Sequence, residues 1–404
     1  MMRYHTALRL RCAAGAFLFL TAAYAGAADV ALAPGCQSAR VSSAADGSAA
    51  AGTAPEPAFP PVQLQVRTPL APGVLSSGGR KYLFYELHLQ NFTTGAVTLR
   101  GIEVRDAARP DAAPLAMLDA DALRARLRQA TIGEDGAQIE RLGVGQGAVV
   151  FLCLAFQARE PVPAGLRHRV LLDTAVADGP VVATRTAPLA RLGRPLTGAG
   201  WTPGNTPSLH SHHRMGLWVV EGEARIARRY AIDWKKFDSQ GKAYAGDPRD
   251  VRAYYAYGQQ VLAVAGGIVV AARDGFPDNV PKTEAGFEPA RPVTLETVGG
   301  NQVIIDLGSG QYAAYYHLQP GSVSVKAGQR VRRGAPLGRI GNSGDARWPH
   351  LHFQLTDRAD AMASEGLPYV FDHYRVKAPG QDWQARSDEY PMGEAPVDFG
   401  PEIR

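Results

Sequence analysis

Arg347-Trp-Pro-His350-Leu-His352-Phe-Gln-Leu355 is the stretch on which the reading of this chain turns. Along a strand, successive side chains face opposite sides, so His350 and His352 share one face while Leu351, Phe353 and Leu355 share the other. The apolar set belongs in a core. Two imidazoles at that spacing can share a metal ion, or one can ligate while its neighbour handles protons. A solvated pair on an edge strand satisfies the same pattern, so the surrounding sequence has to decide.

Working outward, Asn301-Gln-Val-Ile-Ile-Asp306-Leu-Gly-Ser-Gly-Gln-Tyr-Ala-Ala-Tyr-Tyr-His317-Leu318 precedes it, followed by residues 323–344 with repeated Gly turns. Short β-branched runs broken by glycine read as successive strands of a meander. Four ordered elements, Tyr-Tyr-His-Leu, Gly-Gln-x-Val-x-x-Gly, Gly-Asn-Ser-Gly and His-Leu-His-Phe, resemble the lysostaphin/LytM-type zinc metalloendopeptidases, peptidase family M23. The resemblance is close over residues 254–355 and weaker back to His210. It implies an antiparallel β-sheet peptidase domain (the duplicated hybrid motif) over residues 196–379, with a groove framed by the loops at 235–252 and 276–291.

The chain has 404 residues, long enough for two domains with appendages. Residues 1–27 read as a signal peptide: Arg3, Arg9 and Arg11 precede a short apolar run, and Ala25-Gly-Ala27 offers a cleavage site. That run is too short for a permanent span, so no stable membrane span is expected after cleavage. Residues 28–61, rich in Ala, Ser, Gly and Pro, read as a disordered linker. Residues 62–195 alternate strand-like runs with Gly, Pro and Asn, which fits an immunoglobulin-like β-sandwich with one helix near 120–130. His88 and His168 sit there at ordinary strand positions. Residues 380–404 read as an irregular tail. The fold class is therefore all-β, an immunoglobulin-like sandwich followed by a LytM-type domain.

Net charge is +5, and the three early arginines account for most of it, which argues against a nucleic-acid partner. Of three cysteines, Cys36 and Cys153 are able to pair in an oxidising compartment, although the apolar run around Cys153 suits a buried thiol equally.

Carried over residue by residue, the resemblance implies one zinc ion held by Asp233 and His352, with His350 as general base and His317 assisting proton transfer or stabilising an oxyanion. The family takes its remaining ligand from a His four residues before the Asp. Here that position is Arg229, expected on the same strand face as Asp233. A guanidinium has no lone pair for zinc. About 4 Å from a dication it would be repelled by about 8 kcal/mol at an effective dielectric of 20. It would instead bond Asp233 and fill the metal's place. The sequence also offers a substitute. A hairpin folded about Glu221-Gly222 lays residues 210–214 beside 229–233, so His213 or His210 is able to replace the lost ligand while Arg229 faces elsewhere.

The implied function is an exported zinc endopeptidase, periplasmic or envelope-associated, acting on peptidoglycan peptide cross-links. The alternative is an inactive LytM-type module that binds wall peptides or activates a partner wall hydrolase. A biotinyl or lipoyl carrier, suggested by the hairpin at 323–340, fails for want of a lysine beside methionine at a tight turn.

Overall fold

Strand Arg80–Asn91 explains how the molecule is assembled, because both of its faces are buried. Leu83, Tyr85, Leu87 and Leu89 point into one apolar cluster, whereas Tyr82 and Phe84 point into another. In the computed structural model, which describes residues 32–41, 62–129, 140–173, 175–281 and 286–401, the first cluster lies between two six-stranded sheets. The sheet holding Arg80–Asn91 pairs it with Leu64–Arg67 and Gly147–Gln157; the other is built on Val97–Asp106 and Gly165–Leu172.

The second cluster is shared between that first sheet and the C-terminal unit, whose backbone is a ten-stranded sheet. Its central neighbours are Gln311–Leu318, Leu351–Thr356, Ile232–Lys236 and Trp201–Gly204. Trp201, Trp234, Phe353 and Phe371 are fully buried there. At roughly 2–3 kcal/mol for each such side chain, this layer is a principal source of stability. The all-β class holds throughout: among the described residues the helices are Ala120–Arg124 and a single 3-10 turn at Val251–Ala253. The helix expected near 120–130 ends early, since Leu127–Gln129 continues as a strand beside Gly147–Gln157.

Several expectations are corrected. Residues 32–41, placed in the disordered linker, are tied down: Gln37–Ser38 pairs in parallel with Leu154–Ala155, and Cys36 is disulfide-bonded to Cys153 across a separation of 117 residues. The tail is not an irregular end. Gln384–Arg386 and Val397–Asp398 join the ten-stranded sheet, and Tyr390 and Phe399 are buried. These aromatics supply an apolar anchor that the polar composition of the tail obscures. The signal-peptide reading falls on residues 1–27, outside the described residues. No helix among the described residues is long and apolar enough to cross a membrane.

Candidate metal centre

His352 lies in strand Leu351–Thr356, which is buried along its whole length, and His350 immediately precedes it. Alternation sends Leu351, Phe353 and Leu355 into the core, and Phe353 packs on Tyr315 and Tyr369. Strand register then aligns Tyr316, His352 and Asp233 in one row across three neighbouring strands. The row faces a cavity of about 540 Å³ that His213, His317 and His350 also line.

Asp233 is the hub. Its Oδ1 lies 2.9 Å from His352 Nδ1, 3.4 Å from His350 Nε2 and 3.5 Å from His213 Nε2. Its Oδ2 accepts a hydrogen bond from Asn205 Nδ2 at 2.5 Å. Burial on its own would raise this carboxyl, but His213, His350 and His352 more than offset that and hold it well below the usual carboxylate range. Asp233 therefore stays ionised while 5% exposed.

The far nitrogen of each imidazole identifies its tautomer, because a carbonyl oxygen can only accept. His213 Nδ1 lies 3.4 Å from the Ala231 oxygen, His350 Nδ1 lies 2.7 Å from the Trp348 oxygen, and His352 Nε2 lies 2.9 Å from Gln354 Oε1. The Gln354 amide is oriented by its own Nε2, which points at the Ala361 oxygen at 3.4 Å. With those N–H groups committed outward, the other nitrogen of each ring faces the Asp233 carboxylate: protonated, it donates to that oxygen, and deprotonated, it offers a lone pair. In the deprotonated state four acceptors converge there, an arrangement that a cation satisfies. Ligand atoms on a tetrahedral zinc with bonds near 2.0–2.1 Å stand roughly 3.3 Å apart; the His213–Asp233 separation of 3.5 Å is close to that, whereas His352 Nδ1 at 2.9 Å from Asp233 is at hydrogen-bond distance. His212, exposed at the cavity edge, completes a group with His213 and Asp233 whose ligand atoms lie within 4.8 Å of one another.

His213 reaches the site because the hairpin forms. Trp218–Val220 pairs with Glu223–Arg225 about Glu221 and Gly222, both at positive φ (54° and 81°), as a tight hairpin turn demands. His210, the other substitute considered, is exposed and lies outside the cavity lining. Arg229 is corrected twice. It precedes the Ile232–Lys236 strand in a turn instead of sharing its face, and it does not bond Asp233. Its guanidinium pairs with Glu86 at 2.8 Å and Glu365 at 2.7 Å.

His317 is held in a left-handed backbone conformation (φ 65°), which costs a non-glycine residue about 1–2 kcal/mol. Its N–H bonds Gly299 O at 2.9 Å, its carbonyl accepts from Gly341, and its Nδ1 donates to Ser343 O at 2.8 Å. The clamp depends on Gly300: a Cβ there would come within 2.5 Å of the Ser343 backbone. Burial, then the nearby His350 and His352 rings, push the His317 pKa well below its usual value. A neutral ring with Nδ1–H committed leaves Nε2 as a proton acceptor.

Several residues of the cavity carry no readable signal in the sequence. Asn205 and Arg228 lie 28 and 5 positions before Asp233 with no motif to mark them. Gln354 went unread, although it continues the His350–His352 alternation that marks it. Tyr316 stacks on His352 at 5.5 Å and lines the cavity. The loop at 235–252 and its neighbour Tyr254 frame Trp348 through Lys235, Phe237 and Tyr254.

A profile of Peptidase family M23 matches residues 250–364, which include His317, His350 and His352 but not His213 or Asp233. Peptidoglycan DD-endopeptidase ShyA of Vibrio cholerae serotype O1 is 42% identical over 59 residues, 15% of this chain and 13% of that protein. Thus the match spans only a small part of that relative's length. The catalytic domain of the antimicrobial peptidase lysostaphin from Staphylococcus simulans is 20% identical, with 42% of this chain and 88% of that one covered at a TM-score of 0.23. A zinc containing peptidase from Vibrio cholerae is 14% identical over 76% and 86% of the two chains, at a TM-score of 0.22. Both structural likenesses are slight. The family match and the motif order together establish that this chain carries a LytM-type domain of peptidase family M23.

Proposed function

We propose that this protein is an exported zinc metalloendopeptidase that cleaves peptidoglycan peptide cross-links. The observation that carries the reading is the convergence of three imidazole nitrogens on the Asp233 carboxylate, a donor set that fits a dication once the rings are deprotonated. His213, Asp233 and His352 would hold Zn²⁺, and the ion, when bound, supplies Lewis acidity that polarises a scissile carbonyl and lowers the pKa of a water. Gln354 fixes the His352 ring from behind, and Asn205 fixes the second Asp233 oxygen.

The chain's own groups then manage the protons. His350, its Nδ1–H committed to Trp348, offers Nε2 to take a proton from the attacking water. As the new C–O bond forms and the C–N bond breaks, that proton passes to the leaving amine. His317 Nε2 stands beside this route, its ring 5.0 Å from that of His350. The silent-groove alternative drew its force from a guanidinium standing in the site; with Arg229 on Glu86, that objection falls away. Support for a wall substrate comes from the M23 match and from the relative named as a peptidoglycan endopeptidase. The Cys36–Cys153 disulfide favours an oxidising compartment.

The test is zinc stoichiometry on untagged protein paired with peptidoglycan digestion, for wild type and His352→Ala. One zinc and released peptides in the wild type, both lost in the variant, are expected. Equal digestion by both proteins would refute the enzyme reading.

A further inference from the structure

A second groove of about 730 Å³ opens beside the metal centre, and the two share His212 and Arg228 in their walls. Its floor is the outer face of the sheet that carries Arg80–Asn91. On that face Phe84 and Glu86 are buried against the C-terminal unit, while His88 and Gln90, two and four residues farther along, line the groove. Strand register places Arg67, His88, Val149 and Arg128 in one row across four strands.

The charge of this groove is one-sided. Three guanidiniums line it, those of Arg67, Arg128 and Arg228, and no carboxylate does among the described residues. None of the three makes an ion pair among the described residues, and the buried Nε of Arg228 has no hydrogen-bond partner there. Of the nearby carboxylates, Glu86 is already engaged by Arg214 and Arg229, and Asp233 and Asp345 act on Arg228 from the metal-centre side. Unpaired guanidiniums along a concave surface are suited to bidentate carboxylate recognition. Trp218, half exposed on the hairpin that follows His213, adds an apolar side chain to the lining.

We infer that this groove is a substrate subsite, formed jointly by the N-terminal sheet and the His213 hairpin, that binds a carboxylate-bearing arm of the peptide lying in the metal centre. Arg228 marks the junction: a peptide passing it runs from the Asp233 site onto Arg67 and Arg128. The N-terminal unit is then a wall of the substrate cleft and contributes to selection of acidic peptides. This inference rests on the peptidase reading for the identity of the ligand, but its binding test does not need cleavage.

Fluorescence anisotropy on the full chain would compare a fluorescein-labelled peptide released from peptidoglycan, its carboxylates free, with the same peptide after amidation. The free-carboxylate form should bind about ten-fold more tightly, and the preference should shrink with added salt. In Arg67→Gln/Arg128→Gln the ratio of the two affinities should fall toward one, while Arg67→Lys/Arg128→Lys should keep most of it. A wild-type ratio near one, or an unchanged ratio in the glutamine variant, would overturn the subsite. Cleavage of the same peptides is scored separately. A retained preference with neither peptide cut would support the subsite and count against the peptidase reading; cleavage without preference would do the reverse.

Discussion

Arg229 bonds Glu86 twice, Nη2 to Oε2 at 2.8 Å and Nε to Oε1 at 3.3 Å, and so carries its charge away from Asp233 and into the junction between the two units. Arg214, next to the proposed ligand His213, pairs with the same Glu86 and donates to the Tyr85 carbonyl at 3.0 Å. One buried carboxylate thus ties the N-terminal sheet to the turn that presents His213.

Removing one partner from a buried ionic cluster strands the others. Glu86→Ala should destabilise the protein by about 3–5 kcal/mol, because two guanidiniums lose their counter-charge at a site 3% exposed. Denaturant melts would measure this. A change below about 1 kcal/mol would mean that the cluster does not hold the units together.

The same residue sets an acid limit. Burial would raise the Glu86 carboxyl, but Arg214 and Arg229 override it and draw it from 4.5 down to about 2. A depressed carboxyl contributes stability that is complete above its unfolded pKa and is lost as pH falls toward the folded value. The loss, on the order of 3 kcal/mol, should fall between about pH 4.5 and 2. Glu86→Gln should flatten that window in a pH series of melts, and an unchanged slope would contradict the assignment.

Restoring histidine at position 229 should not restore a ligand. Arg229→His is expected to leave zinc stoichiometry as it is, because the side chain there points to Glu86 and Glu365. His213→Ala should weaken zinc at least about a hundred-fold, and Gln354→Ala by about 10–100-fold through loss of the bond that orients His352. His210→Ala should change neither affinity nor stability beyond about 0.5 kcal/mol. Chelator competition separates these cases, and a zinc loss in His210→Ala equal to that in His213→Ala would sink the ligand assignment.

Proton transfer at His317 should survive mild acid. Burial first, then His350 and His352, holds His317 well below its usual pKa, so its Nε2 stays unprotonated below pH 6.5. The acid limb of a kcat–pH profile should accordingly lie below that value. His350→Ala should reduce kcat by about 10²–10⁴-fold with zinc retained. A limb at pH 7 or above would remove His317 from the proposed role.

The disulfide closes a long loop, with Cys36 and Cys153 separated by 117 residues. Chain-entropy reasoning assigns about 5 kcal/mol to such a link, and measured values commonly run lower, about 2–4 kcal/mol. Cys36→Ser/Cys153→Ser should lower the midpoint of a denaturant melt accordingly. No shift would show that Gln37–Ser38 is held by its strand pairing alone.

By itself the sequence determined the strand that carries His352 directly after His350, the hairpin about Glu221-Gly222 and the all-β class. Each follows from local rules: side-chain alternation every two residues, and turns that need positive φ. Tertiary structure decided what those rules cannot reach. The direction of Arg229, the choice of His213 over His210, and the pairing of Cys36 with Cys153 all depend on groups far apart in the chain. Glu86 lies 143 positions before Arg229, and nothing near either residue marks the other as its partner. A buried charge goes to the counter-charge that tertiary packing brings within reach, and local sequence does not encode that distance.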